Sequence, residues 1–269
     1  MTEAINSSYV NAYDVSSLSA TSVERLASGQ AINSASDDPS GLAISDQLRT
    51  QKSVLTQTIE NSNSGIAMSQ IAQGGMKEQA NILSEIQTLS IQALNGTTSQ
   101  EGREAIAQQI SDYVDQYEQI AETTRYNDQT LLKAAGDVTD DLSIVGEEEI
   151  ILMSKADTTS ISDSLRTFLG DFATNRNSME NMLNTAKLGE TELASFASDF
   201  GSASNALESS VRNAMTAETN TASARSTILS TDYSKEVSDF SKSNLLTQIG
   251  YLMQTQANAH QQRNISLLS

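Results

Sequence analysis

Apolar and small residues recur at alternating steps of three and four from Leu193 to Ile228, through Phe196, Phe200, Ala203, Leu207, Ser210, Ala214, Ala217, Thr221 and Ala224. That spacing keeps one stripe of a helix against a partner helix at every turn, so it predicts a heptad seam. Occupants of its second half are small or hydroxylated, which predicts close helix approach rather than a zipper of large knobs. Helical from about residue 181 to residue 228, the segment would extend roughly 70 Å at 1.5 Å per residue, too long for one compact domain. Apolar residues make up only 38% of the chain and aromatics 4%, a composition that suits an elongated shape better than a thick core. The single proline, Pro39, leaves long helices free of their strongest breaker.

A second seam runs through Ile106, Ile110, Tyr113, Tyr117, Ile120 and Thr124. A looser third one passes through Leu48, Leu55, Ile59, Ser62, Ile66, Met76, Leu83, Ile86 and Leu89, and the pair Gly74-Gly75 is expected to weaken it. Asp37-Asp38-Pro39 offers an acidic cap with proline at the first helical position, so a helix is predicted to start near Pro39. Asn95 to Ser99 reads as a loop that closes the third seam and opens the second. Between Gly136 and Asp157 the chain carries six net negative charges, and Leu142-Ser143-Ile144-Val145 and Ile150-Ile151-Leu152-Met153 flank Gly146-Glu147-Glu148-Glu149 as a short hairpin. The predicted fold is mostly α: an elongated antiparallel helical bundle or coiled coil, its terminal helices paired together, with a small β-hairpin region in the middle.

Both ends are amphipathic with nothing local to cover them. Ile5, Leu18, Val23 and Leu26 at one end, and Val237, Phe240, Leu245, Ile249, Leu252, Leu267 and Leu268 at the other, form the candidate assembly interface. Such helices are marginal alone and need a partner surface. The reading divides the chain into a polymerisation helix and connector at 1–38, a central rod at 39–228 with the acidic hairpin segment at about 137–175, and a second polymerisation helix at 229–269.

The net charge of -18 speaks against nucleic acid, whose phosphates need clustered Lys and Arg. No run of about 18 apolar residues exists to insert in a membrane. The stretch Met1-Thr2-Glu3-Ala4-Ile5-Asn6 does not read as a cleaved signal peptide. With no cysteine and one histidine, His260, neither a Cys-His pair nor a convincing Ser-His-Asp arrangement can be drawn. Asp137 to Asp141 lacks the ligand alternation and glycine of a calcium loop. No catalytic residue, metal ligand or cofactor is therefore assigned, and an enzyme is not expected.

Ser17-Leu18-Ser19-Ala20, followed by the unbroken run from Glu24-Arg25-Leu26-Ala27-Ser28-Gly29 to Gly41-Leu42-Ala43-Ile44, resembles the bacterial flagellin N-terminal signature. Thr221 to Ile228, Asp232 to Val237, Gln256-Ala257-Asn258 and Leu267-Leu268 resemble the C-terminal signature in the same order. The resemblance implies a subunit that polymerises with itself into the extracellular flagellar filament for motility. It further implies secretion without a cleaved signal peptide, through the flagellar type III export apparatus, with an export chaperone, a filament cap and hook-junction proteins as partners. Fewer than 50 residues separate the Leu131-Leu132 region from Asn181, so the subunit would be of a minimal type without large outer domains. A hook-filament junction protein, or a minor secreted flagellin-like protein, is the alternative.

The resemblance also implies a receptor-facing surface at Leu83, Glu85, Gln87, Leu89 and Gln116. Flagellins recognised by the animal Toll-like receptor carry arginines where Glu85 and Gln87 stand here. Losing a guanidinium removes a bidentate donor, and a carboxylate there faces an acidic partner with like charge. Receptor-reporter cells should respond weakly to this protein, and the Glu85→Arg/Gln87→Arg variant should activate them at lower concentration. A potent response from the unmodified chain refutes this expectation.

Overall fold

A computed structural model describes residues 17–133, 141–145 and 150–268. Residues 17–28 are helical (α1). Then come α2 (Pro39–Leu94), α3 (Gln100–Thr123), six short strands, α4 (Thr159–Leu169), α5 (Arg176–Leu229) and α6 (Tyr233–Leu268). The strands are β1 (Arg125–Tyr126), β2 (Gln129–Thr130), β3 (Leu132–Lys133), β4 (Asp141–Val145), β5 (Ile150–Ser154) and β6 (Ala156–Asp157). The chain forms two compact units, one from Met1–Ser53 with Glu218–Ser269 and one from Val54–Ala217.

The helix starts follow the capping chemistry read from the sequence. Asp38 Oδ1 accepts the Ser40 N–H at 3.0 Å, and its carbonyl accepts the Leu42 N–H, so α2 begins at Pro39. Ser99 Oγ accepts the Gly102 N–H at 3.1 Å and opens α3. Hydrogen bonds from the Glu101 backbone and from Ser99 hold the Glu101 carboxyl below its usual range, as expected for an acid in a first turn.

The Val54–Ala217 unit holds the main core. Along α2 the buried residues Leu55, Thr58, Ser62, Gly65, Ser69, Ala72, Met76, Gln79, Leu83, Ile86, Ser90 and Ala93 follow a strict alternation of three and four, with Ile82 and Leu89 buried beside them. Ile59 and Ile66, expected in this stripe, are only half-buried, and the helix runs through Gly74-Gly75 without a break. The stripe on α5 starts earlier than its apolar pattern suggested, with Met179, Met182, Ala186 and Gly189 buried ahead of Leu193, Phe200, Leu207 and Ala214. Farther along α5, in the other unit, Thr221 is buried but Ala224 is exposed, a correction to the expected seam. On α3 the face is Ile106, Ile110, Val114, Tyr117 and Ala121. Val114 and Ala121 replace the expected Tyr113 and Ile120, which stay half-exposed because the stripe shifts by one residue.

The β4–β5 hairpin forms with Val145 opposite Ile150 and Asp141 opposite Ser154, in the register that the two apolar runs predicted. Its connecting residues, and Asp137 and Asp140, lie outside the described residues. Two pairings were not anticipated. Arg125–Tyr126 pairs with Gln129–Thr130 around Asn127 and Asp128, both at positive φ (50° and 64°), the backbone of a two-residue mirror-image turn. Leu132–Lys133 runs parallel to Ala156–Asp157. The expected hairpin segment also contains α4, whose Ile161 and Leu165 are buried and whose Arg166 donates to Glu118 Oε1 and Oε2 and to Asp115 Oδ1 on α3 at 2.6–2.7 Å. Lys155, the one cation in the acidic stretch, is buried and donates to Thr130 Oγ1 at 3.3 Å.

Ile144 of β4 closes against Gly65 of α2 and Leu207 of α5; a Cβ on Gly65 would collide with Ile144 Cδ1 and come within 2.9 Å of Leu207 Cδ1. A missing side chain is thus the socket that seats the hairpin. Gly65→Val should destabilise this unit by about 1–3 kcal/mol through overpacking. Faster hydrogen exchange at the amides of residues 141–145 should accompany the loss in a urea titration, and unchanged exchange there would place the hairpin's anchor elsewhere.

Candidate assembly surface

The unit built from residues 1–53 and 218–269 contains the candidate interface. Its architecture begins with the two connectors that join its helices. Gly29 ends α1 at φ +69°, a conformation that an L side chain resists. The chain then lies antiparallel to the end of α5: Ala31 N–H donates to Leu229 O at 2.6 Å, Thr231 N–H donates to Gly29 O at 3.3 Å, and Gln30 pairs with Ser230. Tyr233 Oη donates to Leu26 O at 2.9 Å, tying the start of α6 to α1.

Asp37 organises the loop between α1 and α2. Its Oδ2 accepts the N–H groups of Asn33 and Ser34 at 3.1 and 2.9 Å and the Ser34 hydroxyl at 3.0 Å, while Arg25 Nη2 donates to Oδ1 at 3.2 Å. The Asn33 and Ser34 amides, foremost, hold its carboxyl below the usual value of 3.8. Asp232 does the same work for α6, its Oδ1 accepting from the N–H groups of Ser234 and Lys235.

From this base α6 presents an inverted pattern. The positions turned inward are Glu236, Phe240, Ser243, Thr247, Gly250 and Gln254, with Glu236 and Ser243 buried and the rest half-buried. Phe240 apart, the large apolar side chains among the described residues point outward: Leu245, Ile249 and Leu252 are 59%, 47% and 68% exposed, and Val237, Leu246, Tyr251 and Met253 are exposed beside them. On α1, Leu18 and Val23 are exposed and Leu26 is half-buried. Ile5 and the side chains of Leu267 and Leu268 lie outside the described residues. Leu246, Tyr251 and Met253 were not singled out from the sequence, because with apolar residues in nearly every turn no narrow stripe stands out. His260 is exposed on the same helix.

Of the receptor-facing candidates, Leu83 and Leu89 are core residues at 0% and 9% exposure, because both fall on the inner face of α2. They cannot present a surface. Glu85 and Gln116 are exposed, and Gln87 Nε2 donates to Glu190 Oε2 on α5 at 2.9 Å. Among the described residues no helix is long and apolar enough to cross a membrane.

Comparison with known proteins follows the same division into two ends. Residues 4–137 match the bacterial flagellin N-terminal helical region, and residues 183–268 match the bacterial flagellin C-terminal helical region. The chain is 45% identical over 112 residues to flagellin C of Vibrio cholerae and 43% identical over 114 residues to polar flagellin F of Vibrio parahaemolyticus. Each match covers 42% of this chain and 30% of the relative, so it spans under a third of those proteins. A crystal structure of Bacillus cereus flagellin is similar with a TM-score of 0.52 and 19% identity, over 58% of this chain and 88% of that one. A putative flagellar hook-associated protein from Vibrio parahaemolyticus gives 0.63 and 12%, over 71% and 99%. At those identities the two structures share the fold.

The Asp37 node has a defined pH response. A carboxyl lowered in the folded state contributes stability that is fully present above its ordinary value of 3.8 and is lost as pH falls through the folded value. Protection of the Asn33 and Ser34 amides from hydrogen exchange should therefore fall on acidification below about pH 4. In Asp37→Asn the protection should be lower at neutral pH and flat across that window. A wild-type profile that does not change below pH 4 would show that another group holds the loop.

Proposed function

We infer that this chain, which belongs to the bacterial flagellin family, is the structural subunit of a flagellar filament serving motility and works by polymerising with further copies of itself. The observation that carries this reading is the outward apolar face of α6. Leu245, Ile249 and Leu252 are exposed together with Val237, Leu246, Tyr251 and Met253 on a helix whose inner face, Phe240 apart, is polar or small. A contiguous apolar surface of that kind marks an interface rather than a solvated face. Residues 1–38 and 229–269 serve as the polymerisation segments and residues 39–228 as the central helical rod. The family likeness supports an extracellular location in the flagellum, passage through the flagellar export apparatus with a chaperone, and contacts with the cap and hook-junction proteins. It also supports a purely structural role, without catalysis. The hook-junction alternative has the fold likeness alone in its favour, whereas the family matches at both ends are to flagellin regions.

Ile249→Asp is the direct test, because it places a charge in the middle of the proposed interface without touching the core. Sedimentation and electron microscopy should show the critical concentration for polymerisation rising more than ~10-fold, equivalent to about 1.4 kcal/mol. The circular dichroism of the monomer should stay that of the wild type. Normal filaments from the variant would take α6 out of the interface.

A further inference from the structure

A second feature of the terminal unit has a different chemistry. The end of α1, the turn at Gly29-Gln30, Lys52 of α2 and the last turns of α5 enclose a cavity of about 310 Å³. Its wall brings Lys52 and Arg225 together with the hydroxyls of Ser28, Ser226 and Ser230 over Leu229. In a chain with 34 acidic and 16 basic residues, two cations sharing one concavity form a local reversal of charge.

The two are neutralised unequally. Lys52 Nζ sits 3.8 Å from a Glu218 oxygen, a loose pair, with the lysine side chain 46% exposed. Half-buried Arg225 donates through Nε to the buried Ser45 hydroxyl at 3.3 Å, which fixes the guanidinium plane. Among the described residues no carboxylate lies within ion-pair distance of Arg225. Ser28, Ser226 and Ser230 at the rim are exposed, so the concavity is open to an incoming group.

We propose that this cavity receives a carboxylate side chain from a second copy of the chain, held by Arg225 with Lys52 as the accompanying charge. The proposal rests on the filament reading and deepens it. Subunits carrying a net charge of -18 repel one another, and packing them requires acids of one copy to meet cations of the next. A guanidinium whose Nε is already committed keeps its amino groups for a carboxylate, and the Ser226 and Ser230 hydroxyls supply further donors. A free phosphate would satisfy the same groups, but in a homopolymer the neighbouring copy brings acids to every subunit at fixed geometry.

Filaments grown from an equal mixture of nitrogen-14 and nitrogen-15 chains, treated with a zero-length carbodiimide, report the contact directly. Mass spectrometry should find Lys52 amide-linked to an aspartate or glutamate in mixed-isotope pairs, in filaments and not in monomer. In parallel, Arg225→Gln should raise the critical concentration at least ten-fold, and Arg225→Lys, which keeps the charge but loses the fork, should fall between. If Arg225→Gln loses monomer helicity, the cross-link decides alone. Lys52 linked only to its own Glu218, or a folded Arg225→Gln that polymerises like wild type, overturns the site and leaves the filament reading intact. A wild-type chain that forms no filaments under any polymerising condition overturns both.

Discussion

The structure depends on the seam between α2 and α5 within the Val54–Ala217 unit, where Gly65 of α2 faces Leu207 and Gly189 of α5 faces Leu83. The α2 face carries Thr58, Ser62, Gly65, Ser69, Ala72 and Ser90 at heptad positions. A buried hydroxyl is tolerable only if it is hydrogen-bonded, and here the helix itself supplies the partner. Ser69 Oγ donates to Gly65 O at 2.9 Å and Ser90 Oγ to Ile86 O at 2.7 Å, so neither needs the opposing helix. A seam satisfied locally can be narrow, and a narrow seam gains dispersion contacts from backbone and Cβ atoms in place of large side chains. Where the packing must widen, a few large groups collect: Tyr117, Phe172, Phe200, Met76 and Met182 are fully buried around the junction of α2, α3, α4 and α5.

That economy explains the role of the cross-links that supplement it. Gln79 Nε2 donates to the carbonyl of Tyr117 at 3.0 Å and joins α2 to α3 inside the core. Burial raises the Tyr117 phenol above its usual range. Arg103 joins two loops by donating to Ala173 O and Thr98 O at 3.0 and 2.9 Å. Arg166 spans Glu118 and Asp115 on an exposed face, where such pairs are worth little individually but fix where α4 lies.

The long helices were legible because their spacing is a property of the backbone and survives any choice of occupant. The exact faces were not. Selecting on apolarity found Ile59 and Ile66 and passed over Thr58, Gly65, Ser69 and Gln79, which hold the true heptad positions; on α3 a stripe one residue out of register took Tyr113 and Ile120 in place of Val114 and Ala121. The caps at Asp38 and Ser99 were legible since a cap is a local contract between one side chain and the next turn. The Asn127-Asp128 turn lacks the glycine that announces such hairpins, and the parallel pairing of Leu132 with Ala156 joins residues that are distant in sequence, so neither leaves a local trace. Cooperation between Lys52 and Arg225 depends on the antiparallel register of α2 and α5 in the terminal unit, which places Ser45 beside Arg225 and Lys52 beside Glu218.

The terminal unit resolves a conflict that the composition creates. Strong negative charge keeps chains apart, yet the proposed filament needs them to meet. On α6 the residues kept inward, Glu236 and Ser243 among them, contribute little burial, while Leu245, Ile249 and Leu252 remain outside. The single chain therefore gains little from folding this helix alone, and most of the available apolar burial is withheld until another surface covers it. The connectors compensate in direction rather than energy. Gly29, the Gln30 to Ser230 bridge, the Tyr233 hydroxyl on Leu26 and the Asp232 cap set where α6 starts, so that its outward face is aimed before any partner arrives. Apolar contact then supplies affinity without specificity, and a directional pairing at Arg225 supplies the orientation that apolar contact lacks. In the proposed filament, that division lets the terminal helix take up one arrangement out of the many that a bare apolar stripe would permit.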